Sequence, residues 1–581
     1  MADYPPRPQS ERPEETGFVP QEMVRWLSPR ELVSAGLRVV LSGIFGTYAD
    51  KREIQAALPP TEPHDASARS EIWVDFVSDL GDGFNATYAV ASVLAGDKLE
   101  VPGPGGGSFP TERGSILVMG GDEVYPTAAT DEYRNRLVGP YRAALPCTDP
   151  AHPQLFAIPG NHDWYDGLTA FMRVFCQGSW IGGWQTSQPR SYFAAALPHR
   201  WWLWGIDIQF DTYIDEPQLC YFRDVVGPKV QPGDSIILCS AKPSWVEANE
   251  PGTPDAFVTL DYFERTVVRR RQAEVRLALT GDSHHYARYQ AESGGAQKIT
   301  AGGGGAFLAA THHLPGALLL PPPASTDPGR TTPPARYLFK TAYPSKDESR
   351  RVARGIVSLP RKNPSFAGLL AAVHVLFAWM LLSSVRPSGG SYADAMHDIS
   401  ITGVVAGLAR SSTAMVVAAL LLVGMAGFTK AASRRVRWLL GGAHTALHLA
   451  AVVAVARLSE VPLSGVDGSW FLLLYLPLVA VLGGLAGSMV MALYLYVADK
   501  WRCNTNELFA AQRIEDKKCF LRLHLGDDGA VTVYPVKLAT VPREWQLRPD
   551  GQPGDPWFLP VGEPLRPQLI EAPIRVEPAG R

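Results

Sequence analysis

The sequence predicts an α/β domain, then an all-α transmembrane bundle, then a small β unit. Three observations predict this order. Short aliphatic runs between residues 72 and 279 each end in a polar cluster, four stretches free of Asp, Glu, Lys and Arg lie between residues 366 and 497, and a hairpin signal follows them. The length of 581 residues exceeds one ordinary domain, and 46% hydrophobic with 19% charged residues excludes a disordered chain. A net charge of -3 excludes a nucleic-acid binder held by bulk positive charge. Six scattered cysteines without a CxxC exclude a disulfide scaffold and a zinc site of paired thiolates, and they read as reduced thiols in a cytosolic compartment.

Residues 1–20 are rich in Pro and Glu and are expected to be disordered. Residues 21–70 form an N-terminal helical segment. Within it, Ser28 with Glu31 three positions on predicts a capped amphipathic helix over 28–46. No apolar run precedes it, so no secretory signal peptide is expected. The runs 72–77, 115–119, 154–158, 235–239 and 275–279 read as buried strands, because aliphatic and β-branched residues are bounded there by Gly and Pro. They end in Asp79-Leu80-Gly81-Asp82, Gly121-Asp122, Gly160-Asn161-His162-Asp163, Ser240-Ala241-Lys242-Pro243 and Gly281-Asp282-Ser283-His284-His285. Open α/β sheets hold their sites at strand C-terminal ends, so five such clusters point to one shared polar site.

In their order these motifs resemble those of the calcineurin-like metallophosphoesterases, over residues 70–312 and in a membrane-attached form. Gly160-Asn161-His162-Asp163 matches in full and Gly121-Asp122 matches with suitable spacing. The resemblance implies an αββα sandwich over 71–313 and in-line attack on phosphorus by water activated on two metal ions. It implies Asp122 as the bridging carboxylate, Asp79 and His284 on the first metal, and Asn161 on the second. His162 would contact the phosphate and protonate the leaving oxygen, with Asp163 beside it as a candidate partner. The sequence departs from the family at Gly81, where His is usual, with Asp82 next as a substitute ligand. It departs again at Ala241, with Lys242 beside it, and at Asp282 in place of the first His of the last motif. An oxygen-rich set favours Mn²⁺, or else Mg²⁺ or Fe, and either one or two ions. The glycines 302–305 either let backbone amides approach a phosphate or make a tight turn.

The runs 366–385, 411–428, 438–456 and 469–497 are each about long enough to cross a bilayer. The shorter run 399–408 reads as interfacial or re-entrant. Lys430, Arg434, Arg435, Arg437, Arg361, Lys362, Lys500 and Arg502 fall on one side of these spans. Arg386, Arg410 and Arg457 fall on the other, so both termini are expected in the cytoplasm of a multi-pass cell-membrane protein. His374, His444 and His448 lie inside spans, as polar contacts between helices or as a metal or proton site. The remaining boundaries are a linker over 314–362, the transmembrane region over 363–499, a β unit over 500–545 and an extended tail over 546–581. Asp527-Asp528-Gly529 supplies the hairpin turn of the β unit. The reading is metal-dependent hydrolysis of a phosphate ester by a cytoplasmic domain anchored in the bilayer. The alternative is a degenerate phosphoesterase acting as a membrane-bound sensor or scaffold for a phosphate ligand.

Overall fold

The computed structural model describes residues 8–580 except 35–51, 148–151, 209–212, 328–332, 385–392, 394–395, 397–398, 432, 464–465, 467–468, 549 and 553. The expected helix over 28–46 is helical from 29 to 34, where the Glu31 N–H bonds Ser28 Oγ at 3.3 Å, and the rest lies outside the described residues. The chain divides into two compact units. One comprises Met1–Val24, Leu41–Ser349 and Ile514–Arg581, and the other Arg25–Val40 and Arg350–Arg513.

The first unit is α/β, with two nine-stranded sheets. In one, Ile72–Val77, Ile116–Met119 and Gln154–Ala157 run parallel as neighbours. In the other, Trp201–Ile206, Ser235–Ser240 and Glu274–Thr280 do the same. The strict alternation of side chains along a strand sorts these residues into layers. Val74, Phe76, Ile116, Val118 and Phe156 of the first sheet share one core with Trp201, Leu203, Ile237, Cys239, Leu277 and Leu279 of the second. Leu117, Met119, Leu155 and Ala157 turn the other way, onto the Phe84–Leu94 helix and its neighbours. Trp202, Trp204, Ile236 and Leu238 do likewise beneath a separate group of helices. Each sheet therefore has one face on its partner and one face under helices.

The hairpin beyond the spans is part of this architecture and not a layer of its own. The Lys518–Leu525 strand pairs antiparallel with Ile72–Val77, and Val531–Leu538 pairs with it in turn. A buried ion pair fixes that join: Arg522 Nε lies 3.0 Å from Asp75 Oδ1, and the guanidinium also donates to the Leu94 and Gly96 carbonyls at 3.0 and 3.2 Å. Within 1–20, where disorder was expected, Pro13–Thr16 is a helical turn and Phe18 is buried against Phe84. The chain gains there an aromatic contact that its Pro and Glu content does not advertise.

The second unit is helical. Among the described residues, three helices are long and apolar enough to cross a membrane, over 364–383, 434–463 and 470–499. A bent pair, Ile401–Arg410 and Ser412–Phe428, turns through 91° and passes the same test together. Gly483, Gly484 and Gly487 of the Ser469–Asp499 helix face His374, Ala367 and Leu370 of the Pro364–Ser384 helix, and a side chain on Gly483 or Gly484 would collide, while one on Gly487 would be tight. Small residues permit this close approach where no water drives the helices together.

Candidate metal centre

Three parallel strands end on one edge of the first sheet, so the loops after Val77, Met119 and Ala157 meet. The Asp79 N–H donates to the Gly121 carbonyl at 3.0 Å and the Leu80 N–H to the Asp122 carbonyl at 2.9 Å. The Glu274–Thr280 strand of the other sheet delivers the fourth loop, and the Asp282 N–H donates to both oxygens of Asp79 at 3.1 and 2.9 Å. Asp79, Asp122, Asp282 and His284 all have left-handed backbone, with φ of 60, 52, 64 and 42°. Such geometry costs an L-residue about 1 kcal/mol, and strain of this kind collects at functional sites.

Asp79, Asp122 and His284 each offer a ligand atom within 4.8 Å of the others, and all three are buried. The Tyr125 hydroxyl stands among them, 3.1 Å from Asp79 Oδ1, 3.2 Å from Asp122 Oδ2 and 3.0 Å from His284 Nε2. The sequence reading did not include Tyr125. Its signal is an aromatic residue three positions after Asp122. Burial pushes the Asp79 carboxyl well up, and the Asp122 and Asp282 charges add to this. Burial raises Asp122 to about 6 and lowers His284 to about 3, with Lys518 a further cause for His284. Neither Asp79 nor Asp122 has a Lys or Arg ion-pair partner among the described residues, and the one ionic neighbour of Asp79 is His284 at 3.5 Å. These three side chains could hold a metal ion. Two carboxylates, a phenol oxygen and one imidazole suit a hard or borderline ion.

His162 lies against this cluster. Its N–H donates to Asp122 Oδ1 at 2.8 Å, and its ring packs on Tyr125 with centroids 4.4 Å apart. Nδ1 lies 3.1 Å from the Pro126 carbonyl, an acceptor only, so Nδ1 carries the proton in the neutral ring. Asn161 is half-buried, with its amide 3.4 Å from the Tyr165 hydroxyl. Asp163 is fully buried and fastens loops together. It accepts from the Gly160 N–H at 2.8 Å, the Glu123 N–H at 3.2 Å and the Tyr133 hydroxyl. Burial raises Asp163 to about 7.

Asp82 is placed away from the cluster. Its two oxygens accept from the Val24 and Phe307 N–H groups at 2.9 and 3.0 Å. Asp282 reaches the cluster through its backbone, as described. Lys242 pairs with Glu247 at 3.5 Å. The glycines 302–305 are explained by packing: a Cβ on Gly302 would come within 2.5 Å of Asp79 Oδ2, and one on Gly304 within 2.5 Å of the Ser78 carbonyl. Their chain braces the site, since the Gly304 N–H bonds Ser78 O at 2.9 Å and the Ala306 N–H bonds Asp79 O at 2.8 Å. The segment beyond the spans braces that loop in turn, through the Cys519 N–H on Gly303 O at 3.0 Å and Lys518 Nζ on Ala306 O at 2.6 Å.

No protein-family model and no curated protein matches the sequence. Among solved structures, the chain is similar to GAP50, the anchor in the inner membrane complex of Plasmodium, at 15% identity and a TM-score of 0.30, over 42% of this chain and 74% of that one. It is also similar to PhoD at 12% identity and a TM-score of 0.26, over 42% of this chain and 59% of that one. At these scores neither likeness carries an argument.

Proposed function

We propose that the chain is a membrane-anchored, calcineurin-like metallophosphoesterase that hydrolyses a phosphate ester. The observation that carries this reading is the convergence of Asp79, Asp122 and His284 from three strand ends, on left-handed backbone, with no Lys or Arg ion pair to the two acids among the described residues. Asp79, Asp122 and His284 would hold a divalent ion, Mn²⁺ first, with the Tyr125 oxygen as a fourth donor. When bound, the ion supplies Lewis acidity toward a phosphoryl oxygen and lowers the pKa of water. The protein's own part is to position and to move a proton. Asp122 takes the N–H of His162 and so sets the imidazole beside the ion's ligands. The Pro126 carbonyl keeps the proton on Nδ1 in the neutral ring, and a second proton at Nε2 is the one to give to a leaving oxygen. Asn161, on the open side, is the proposed contact for a second, weaker ion or for the substrate.

Chain parity supports the membrane part. Leu41–Ser349 and Ile514–Arg581 belong to one sheet-bearing unit, so the segment between them crosses the bilayer an even number of times. Three long helices alone would be odd. The Ser412–Phe428 helix, about 25 Å long at 1.5 Å per residue, supplies the fourth crossing, and Ile401–Arg410, which carries Arg410 at its end, lies along the interface. Trp379 and Trp470 on one side, with Trp438 and Trp501 on the other, are exposed near helix ends in the manner of interfacial anchors. The Lys and Arg bias puts the phosphoesterase unit in the cytoplasm.

A second reading is favoured by one observation. Ala241 stands where a histidine ligand is expected, its Cβ in the space beside Gly121. The domain would then bind a phosphate ligand without turning it over. The test is Mn²⁺ binding and hydrolysis of a phosphoester panel by the full chain, with Asp122→Asn alongside. Turnover lost in the variant supports the enzyme. Tight Mn²⁺ binding without turnover of any ester supports the sensor, and absence of both refutes the site.

A further inference from the structure

The membrane unit holds a polar cluster that the proposed hydrolysis does not use. His374, His444 and His448 are only 2, 0 and 5% exposed, within helices read as spans. Ionisable side chains are rare at such depth and mark ion, proton or ligand sites. His444 and His448 lie one turn apart on one helix, with their Nε2 atoms 3.2 Å apart. Both rings therefore turn the same nitrogen to one point. Tyr494 stacks on His444 with centroids 3.9 Å apart and planes 6° apart, which fixes that ring. The far end of Tyr494 is held by Thr429 Oγ1 at 2.7 Å and Asn504 Oδ1 at 3.0 Å.

A single N–H···N hydrogen bond accounts for the contact between the two rings. It leaves His444 Nδ1 and His374 Nε2 buried with no hydrogen-bond partner among the described residues. His374 Nδ1 lies 2.9 Å from the Leu370 carbonyl, so its proton sits there and Nε2 presents a bare lone pair. Metal–imidazole bonds are about 2.05 Å long, so two nitrogens 3.2 Å apart subtend about 103° at one ion, close to the roughly 109° of a tetrahedron. We propose that His444 and His448 chelate a transition-metal cation inside the membrane unit. Both donors are neutral nitrogens. The class is therefore zinc, copper, nickel or cobalt and not magnesium or calcium. The site does not depend on the carboxylate cluster or on phosphoester hydrolysis.

The full chain in detergent, stripped with chelator, would be titrated with Zn²⁺ and its bound metal counted. The expected result is one equivalent that Asp122→Asn keeps and that the His444→Ala, His448→Ala double variant loses, with affinity down at least tenfold in either single variant. Equal zinc in the unaltered chain and the double variant would overturn the proposal. Copper resonance on Asp122→Asn serves where the histidine variants do not fold. Coupling to two or more imidazole nitrogens is expected, and coupling to fewer overturns the site.

Discussion

Arg522→Ala tests whether the segment beyond the spans completes the first sheet. Arg522 is fully buried, 447 residues from Asp75 in sequence, and its guanidinium serves Asp75, Leu94 and Gly96 together. Removing it leaves Asp75 in the core with the Gly114 N–H at 2.9 Å as its remaining donor. Breaking one side of a buried pair costs about 3–5 kcal/mol, because the survivor is an uncompensated charge. The two orphaned carbonyls add about 1–3 kcal/mol each where water cannot reach them. A sum above about 5 kcal/mol is comparable to the whole stability of a domain. The variant should therefore lose the first unit's cooperative unfolding transition in detergent and expose it to limited proteolysis. The double variant Asp75→Leu, Arg522→Met should recover most of the loss, since an apolar pair of similar volume carries no stranded charge. A transition for Arg522→Ala within about 1 kcal/mol of the parent would refute the pairing of Lys518–Leu525 with Ile72–Val77.

Tyr125→Phe removes the hydroxyl shared by Asp79, Asp122 and His284 and should weaken Mn²⁺ binding at least tenfold with the fold intact, as read by titration calorimetry and unfolding. His162→Ala should keep the metal and lower hydrolysis by about 10²–10⁴, whereas Asp163→Ala should loosen the loops and lower both metal content and melting temperature; metal content separates the two. Burial lowers His285 to about 4, so the folded form rejects a proton that the unfolded form takes up below its ordinary 6.5. Stability is then lost as pH falls from 6.5 toward 4, by about 1.4 kcal/mol per pH unit for this group. His285→Phe should flatten the pH dependence of denaturation by that slope, and an unchanged slope would refute it.

The strands, the loop clusters and the apolar helices were legible because each is a local pattern. Aliphatic runs ending in Gly-Asp or Gly-Asn-His need no partner to be recognised, and neither does a 20-residue uncharged stretch. Asp79, Asp122 and His284 follow from such runs, and the structure brings their ligand atoms together. Tyr125 and Asp82 could not be sorted the same way. One lies at the cluster and the other caps backbone amides of residues 24 and 307, and only the path of those distant segments decides which. The glycines 302–305, which read equally as a loop approaching a phosphate or as a tight turn, serve as a brace, because a Cβ there would meet the Asp79 carboxylate, Cys519 or the Ser78 and Leu80 carbonyls. The membership of residues 518–538 in the first sheet was likewise beyond sequence pattern. A hairpin reads alike whether it stands alone or joins a sheet, and the choice rests on a buried pair between positions 75 and 522 that local periodicity does not encode.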